Sequence, residues 1–376
     1  MWYIWPKCST VRIVSSDIFQ GDAIGNFNLQ IRDFLASNNI PCKLYATNYD
    51  PGMGFDIAHF DMLFDEYNKE DVLLSHFSIY EERNNLLTNV SLPKAVYYHG
   101  ITPPGYFVSY DDLTANNCSK GLQQFNCFYD FDYYLSNSKY MLDQIVDNLS
   151  ASDSVIRQDL LDKSTVIPPF LSTTQWLCEP KRPENSLDAD IMLLYVGRIA
   201  PHKCVHELFD VLKILIDRGE DASLNIVGAC ATVAYCEELN QLLEHQFRSI
   251  KDRVVLLGHV EQQELKYLYE KSSIFITMSE HEGYCVPLVE AMQFSLPVIA
   301  RGAAAIPETM AKSGFVFYDK NYNSIADRIV ALKAPDEKRS LLSRQNAVFS
   351  DMLKKADGEL LLSLFEKLIQ KNKHIV

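Results

Sequence analysis

The feature that most constrains this chain is an alternation, run through twice, of short β-branched or aromatic runs with stretches of helical period. In the first half, strand-like runs lie at 10–15, 42–46, 71–77, 94–100, 133–138 and 164–170, with helix-like stretches at 28–37 and 139–149 between them. In the second half the strand-like runs are 191–197, 223–228, 253–258, 273–279, 297–300 and 314–318. They alternate with helical patterns at 203–217, 234–248, 262–271, 286–294, 321–333 and 336–373, the last with breaks. Apolar strands joined by helices of this length form parallel sheets covered on both faces. The predicted fold is therefore α/β, with two Rossmann-like, doubly wound domains around a cleft. Ligands of such sheets bind beyond the carboxyl ends of the strands. Residues 171–190 lose periodicity and gain Pro, Asn, Ser and charge, the composition of a linker.

Charge and cysteine content narrow the class. With 376 residues the chain fits about two domains. A formal net charge of −14 argues against an extended nucleic-acid interface, which needs a basic surface to replace phosphate counterions. The nine cysteines (8, 42, 118, 127, 178, 204, 230, 236 and 285) form no C-x-x-C pair and read as free thiols in a reducing cytosol. The N-terminal MWYIWPKCSTVRIVSS lacks the apolar core and cleavage site of a signal peptide, and no apolar run approaches the ~20 residues of a membrane span. A cytoplasmic protein is expected, with contact at a membrane surface left open.

Two segments carry chemistry. In SEHEGYCVPLVEAM (279–292), directly after a strand, Glu282 and Glu290 bracket a loop and the start of a helix near Val286. Backbone N–H groups from Tyr284 to Leu288, past Gly283 and including Cys285 and Val286 around Pro287, would face outward, where they can hold hydroxyls or phosphate. Two carboxylates there suit paired sugar hydroxyls, whereas an isolated pair so spaced is more often a cap and a solvated charge. In YVGRIAPHKC (195–204) a strand ends at Gly197 and the loop carries Arg198 and Lys203. Two cations on a strand-to-helix loop can neutralise a diphosphate leaving group; alone they would read as surface charges.

Taken together, the two segments resemble the family 4 retaining glycosyltransferases of the GT-B fold: VGRIAPHK matches VGR-x(3,4)-K, and EHEGYCVPLVEAM matches E-x7-E. IARGAAAIPETM (299–310) looks like the Gly-rich turn that follows, though Ala304 and Ala305 stand where glycines are usual. The first half resembles the family less, in QGDAIGNFNLQIRDFL (20–35), KAVYYHGITPPGYF (94–107) and YYLSNSKYMLDQI (133–145). The resemblance implies that Arg198, Lys203, Glu290 and the 283–287 backbone, with Gly258 and His259, bind the donor. It gives Glu282, His99, Arg198 and Lys203 catalytic parts, and it makes Gly21, Asp22, Gly25 and Asn26 a loop on the acceptor or phosphate side. His99 at a strand end reads equally well as a satisfied core group, and the glycines as ordinary turn residues.

The resemblance also implies an N-terminal acceptor-side domain over 1–172, a linker over 173–190, a donor-nucleotide domain over 191–357, and a final helix at 358–376 crossing back to the first domain. It implies transfer with retention, without metal or other cofactor, by same-face attack in which the donor phosphate accepts the acceptor's proton. The fuller pattern looks like bacterial mannosyltransferases of surface polysaccharides such as O-antigen and lipopolysaccharide. GDP-mannose is thus the first choice of donor and a UDP-sugar the second. The acceptor would be a glycan or lipid-linked glycan at the inner membrane face, and domain closure would complete the site. The rivals are a sugar-nucleotide epimerase, a phosphorylase-like enzyme and a non-catalytic sugar-binding subunit. Asp130/Asp132 and Asp188/Asp190 match D-x-D metal sites as chance would provide in an acidic chain, and His202, Cys204 and His206 fall short of a closed zinc site.

Overall fold

The computed structural model describes residues 5–6, 9–19, 21–53, 57–171, 174–356 and 358–373. They form two compact units. One comprises Met1–Pro104, Leu113–Phe170 and Lys355–Val376, the other Gly105–Asp112 and Leu171–Lys354.

The first unit is built on a parallel seven-stranded sheet in the order β3-β2-β1-β4-β5-β6-β7. The strands are β1 Val11–Ile18, β2 Cys42–Tyr49, β3 Ile57–His59, β4 Val72–Phe77, β5 Lys94–Tyr98, β6 Tyr133–Ser136 and β7 Ser164–Val166. Six coincide with strand-like runs of the sequence. The seventh, β3, is an edge strand of three residues, too short to show a period. Helix Ala23–Ser37 starts at Asp22, whose carboxylate accepts from the N–H groups of Ile24 and Gly25. It buries Phe27, Ile31 and Leu35, spaced by one helical turn, against Val11, Ile13, Leu44 and Leu74 of the sheet. Helix Glu359–Lys373 supplies Leu361, Leu364, Phe365 and Leu368 to that same core.

The second unit carries a parallel six-stranded sheet, β10-β9-β8-β11-β12-β13, with β8 Ile191–Val196, β9 Ala222–Val227, β10 Val254–Gly258, β11 Ile274–Thr277, β12 Val298–Arg301 and β13 Phe315–Phe317. From β8 the chain winds outward through β9 and β10, then returns to the other side of β8 with β11. The direction of winding thus reverses between β8 and β11, where an open α/β sheet leaves a crevice beyond its strand ends. The loops after these two strands are the ones carrying Arg198 with Lys203, and Glu282.

Three sequence expectations need correction. Residues 174–190 are not a free linker. Trp176 lies buried in a core of the second unit, and the backbone N–H of Leu187 donates to the Asn225 side chain while its carbonyl accepts from it. The first domain is not continuous over 1–172, because Gly105–Asp112 packs within the second unit: Tyr110 meets Tyr235 edge to face. Nor are all the cysteines free, since Cys230 and Cys236 form a disulfide tying the loop after β9 to the first turn of helix Val233–Glu244. Cys8 lies outside the described residues, as does part of the N-terminal stretch read against a signal peptide. Among the described residues no helix is long and apolar enough to cross a membrane.

Candidate functional site

In the second unit the ends of β8, β9 and β10 are held together before any side chain enters. Gly197 N–H donates to Val227 O at 2.9 Å, Gly228 N–H to Gly258 O at 2.8 Å, and Ile199 N–H to Ala229 O at 2.9 Å. Gly228 has φ +140°, and a Cβ there would lie 1.9 Å from the carbonyl oxygen of Gly197. Only glycine permits this approach. Ile199 then leads into the turn Pro201–Lys203, and Glu280 N–H donates to His202 O at 2.8 Å, joining the loop after β11 to the loop after β8.

That junction brings the two sequence motifs together. Lys203 Nζ lies 2.7 Å from Glu282 Oε1, with the side chains only 15% and 12% exposed. The backbone around Glu282 is fixed by Ala305 N–H donating to its carbonyl. Arg198 is exposed and ion-pairs with no carboxylate among the described residues. The loop therefore offers one engaged cation and one available cation beside a carboxylate.

Helix Val286–Gln293 begins at Cys285, which holds a left-handed conformation (φ 69°) rare for a residue with a Cβ. The side chains of Tyr284 and Cys285 are buried in the core, so these positions offer backbone only. Leu288 N–H already bonds Cys285 O and is removed from the N–H groups expected to face a ligand. Gly283, Val286 and Pro287 are half-buried. Glu290 lies one turn into the helix. Its Oε2 accepts from the Tyr269 hydroxyl at 2.8 Å and its Oε1 from Gln175 Nε2 at 3.5 Å. Burial raises its pKa, and those two donors pull the other way. Gly258, with φ 66°, and exposed His259 end β10 next to the Gly228 turn.

Sequence reading missed Tyr269 and Gln175: the first is one aromatic on an amphipathic helix, the second lay in the supposed linker. It also missed a buried charge cluster behind the same loops. Arg301, at the end of β12, pairs with Glu207 and donates to Glu280 Oε1 at 2.8 Å. Lys320 donates to Glu207 Oε1 at 2.8 Å. Burial pushes the Glu207 carboxyl up, but Lys320 and Arg301 outweigh it, and it titrates below the usual range. Tyr106, from the inserted segment, donates to Glu280 Oε2 at 3.1 Å, and the rings of Tyr106 and Phe107 meet His202 edge to face. Cys204, Glu207 and Glu280 present their ligand atoms within 4.8 Å of one another, but Arg301 and Lys320 already neutralise the two carboxylates. His202, Cys204 and His206 do not converge: His206 Nδ1 pairs with the Tyr235 hydroxyl, and Cys204 Sγ contacts Pro201 O.

In the first unit, Gly21 N–H donates to Asn26 Oδ1 at 3.0 Å and Asp22 caps the following helix. A Cβ on Gly25 would lie 2.1 Å from the Phe19 carbonyl oxygen. The Gly25 position is therefore a close approach of backbone to backbone, and one side-chain oxygen each of Asp22 and Asn26 is bonded within the loop. His99 directly follows β5, its N–H donating to Phe77 O. Its Nε2 sits 2.7 Å from Nδ1 of His76 on β4, a partner that sequence reading did not single out. Both imidazoles titrate below the ordinary histidine range, His76 at about 3, chiefly through burial. Of the D-x-D pairs, Asp132 accepts from Lys94 N–H and pairs with Lys371, and Asp188 pairs with Arg182.

Residues 179–347, nearly all of the second unit, match the family model described as Glycosyl transferases group 1. Spore coat protein SA of Bacillus subtilis is 29% identical over 217 residues, 55% of this chain and 57% of that protein. The O-antigen chain mannosyltransferase RfbU of Salmonella typhimurium is 32% identical over 117 residues, 31% of either chain. The chain thus spans less than two thirds of the length of either relative. The solved structure of Anabaena Alr3699/HepE in complex with UDP aligns with a TM-score of 0.66 at 16% identity, over 94% of this chain and 99% of that one. The chain thus has two Rossmann-like sheets of GT-B type, and the part of it that carries the paired motifs, residues 179–347, is similar to the group 1 glycosyl transferases.

Proposed function

We propose that the chain transfers a sugar from a nucleoside diphosphate donor to a glycan or lipid-linked glycan hydroxyl, with retention and without a metal ion. The observation that carries this reading is the meeting of Lys203 and Glu282 between β8 and β11, with Glu290 one turn into the next helix. The donor's diphosphate docks on Arg198 and Lys203, whose charges meet the negative charge that develops as it leaves. Glu290 accepts hydrogen bonds from the ribose hydroxyls, exchanging the weak contact from Gln175. Glu282 gives up part of its pairing with Lys203 to hold a sugar hydroxyl. His99 contributes a hydrogen bond in the transfer step rather than in nucleotide binding.

In the reaction the C1–O bond to the diphosphate breaks while the acceptor oxygen bonds C1 on the same face. The acceptor's proton passes to the departing phosphate oxygen. Retaining glycosidases use a carboxylate nucleophile about 5 Å from a second carboxyl; here the two motif carboxylates are assigned to hydroxyls of the donor. Mannose from GDP-mannose is the preferred sugar, in keeping with the named activity of RfbU. The UDP held by HepE favours a UDP-sugar as the second choice. Surface polysaccharide assembly at the cytoplasmic membrane face is the proposed setting.

A panel of nucleotide sugars tests this in two steps, thermal shift first and then donor turnover in excess EDTA. We expect one donor class to stabilise the protein and turnover to persist in chelator, because Arg198 and Lys203 would supply the positive charge that a divalent ion supplies in other transferases. Loss of turnover in EDTA with rescue by manganese or magnesium would refute metal independence. The absence of binding by any nucleotide sugar would refute the reading as a whole.

A further inference from the structure

His76 and His99 are diagonal neighbours by construction. His76 pairs in register with Tyr97 across β4 and β5, and His99 lies two residues beyond Tyr97, so all three side chains share one face. Helix Ala23–Ser37 covers that face with Phe27, whose ring meets His76, Tyr97 and His99 at 5.9, 5.0 and 6.1 Å between centroids. His76 also stacks on Tyr97. In this aromatic setting burial disfavours the charged form of both imidazoles, and the contact between His76 Nδ1 and His99 Nε2 holds a single hydrogen.

Which ring carries that hydrogen follows from the far side of His76. Its Nε2 is buried and has no hydrogen-bond partner among the described residues. If His99 donated, the proton of His76 would have to sit on this Nε2 and leave a buried N–H unpaired, at a cost of about 1–3 kcal/mol. If His76 donates, its Nε2 is a bare acceptor, and an under-satisfied acceptor is the commoner and milder case. The hydrogen therefore belongs to His76, and His99 must carry its own proton on Nδ1.

We propose that His76 is a positioning residue that locks His99 in the Nδ1–H tautomer, so that His99 meets a ligand oxygen as a hydrogen-bond donor and not as a base. No hydrogen bond to His99 Nδ1 is made among the described residues, and His99 is only partly buried, which suits a group awaiting a ligand oxygen. The functional half of this proposal rests on the transferase reading above; the tautomer itself does not.

Long-range nitrogen–proton NMR spectra of the full chain labelled with nitrogen-15 histidine decide it, with His99 assigned by its loss in His99→Gln. The expected spectrum of the unaltered protein shows His99 protonated on Nδ1. In His76→Phe that signature is lost and kcat falls on the order of tenfold to a hundredfold, with nucleotide affinity unchanged. His76→Asn, whose amide can donate from nearly the same place, restores both. An Nε2–H tautomer in the unaltered protein overturns the proposal, and that spectrum is decisive even if His76→Phe does not fold. Persistence of the Nδ1–H signature in folded His76→Phe overturns it as well. If the tautomer is as expected but His99→Ala transfers sugar at the full rate, the assignment of His99 to transfer has failed and the lock stands.

Discussion

Arg301 ties together the elements that carry the two motifs. It is 8% exposed and bridges two carboxylates, Glu207 at the start of helix Glu207–Asp217 and Glu280 two residues before Glu282. The removal of one partner from a buried ion pair leaves charge uncompensated and costs about 3–5 kcal/mol. Arg301→Met should therefore lower unfolding stability by about that much in denaturant titration, the upper end applying if Lys320 cannot move in. A change under about 1 kcal/mol would mean that Lys320, already 2.8 Å from Glu207, suffices alone. Nothing in the sequence marked Arg301. It stands alone at a strand end, and its two partners lie 94 and 21 residues away.

Elements were read more easily than their joints. Strands such as 191–196 and 254–258 announced themselves by apolar runs between turn residues, and helices Gln262–Lys271 and Val286–Gln293 by their period and flanking residues. The motif residues Lys203, Glu282 and Glu290 were legible because local spacing fixes the first two on strand-to-helix loops and the third within the helix that follows. Their contact was not, since it depends on β11 returning beside β8. Two segments were misplaced: 174–190 because irregular chain rich in Pro, Ser and charge looks like connection whether or not it docks, and 105–112 because a short stretch inside the first half carries no mark of the unit it joins. His76 was hidden as one of two polar residues inside an otherwise apolar strand. Gly228 shows how one such joint is built, for it lets the β9 turn pass under Gly197. Gly228→Ala combines left-handed strain with a backbone clash, each worth about 1–3 kcal/mol. It should destabilise the second unit by on the order of 3 kcal/mol and weaken nucleotide binding as the Arg198–Lys203 loop shifts. Calorimetric titration and thermal melts would check this; unchanged affinity would show that the loop does not depend on the β9 turn.

At the scale of the whole molecule the two units differ in what they carry. The second unit holds the paired motifs, Arg198, which ion-pairs with no carboxylate among the described residues, and the residues that match the family model, while the first holds a histidine pair and a glycine-bounded loop. Glu282 and Glu290 are therefore the residues on which donor use should depend. The most direct test is the donor kcat/KM of Glu282→Ala and Glu290→Ala, measured on protein whose circular dichroism and melting temperature match the unaltered chain. Loss of a buried partner of the substrate costs a few kcal/mol of transition-state binding, so the account predicts a fall of about a hundredfold or more in each variant. Near-unaltered kinetics in both, with the fold intact, would contradict it.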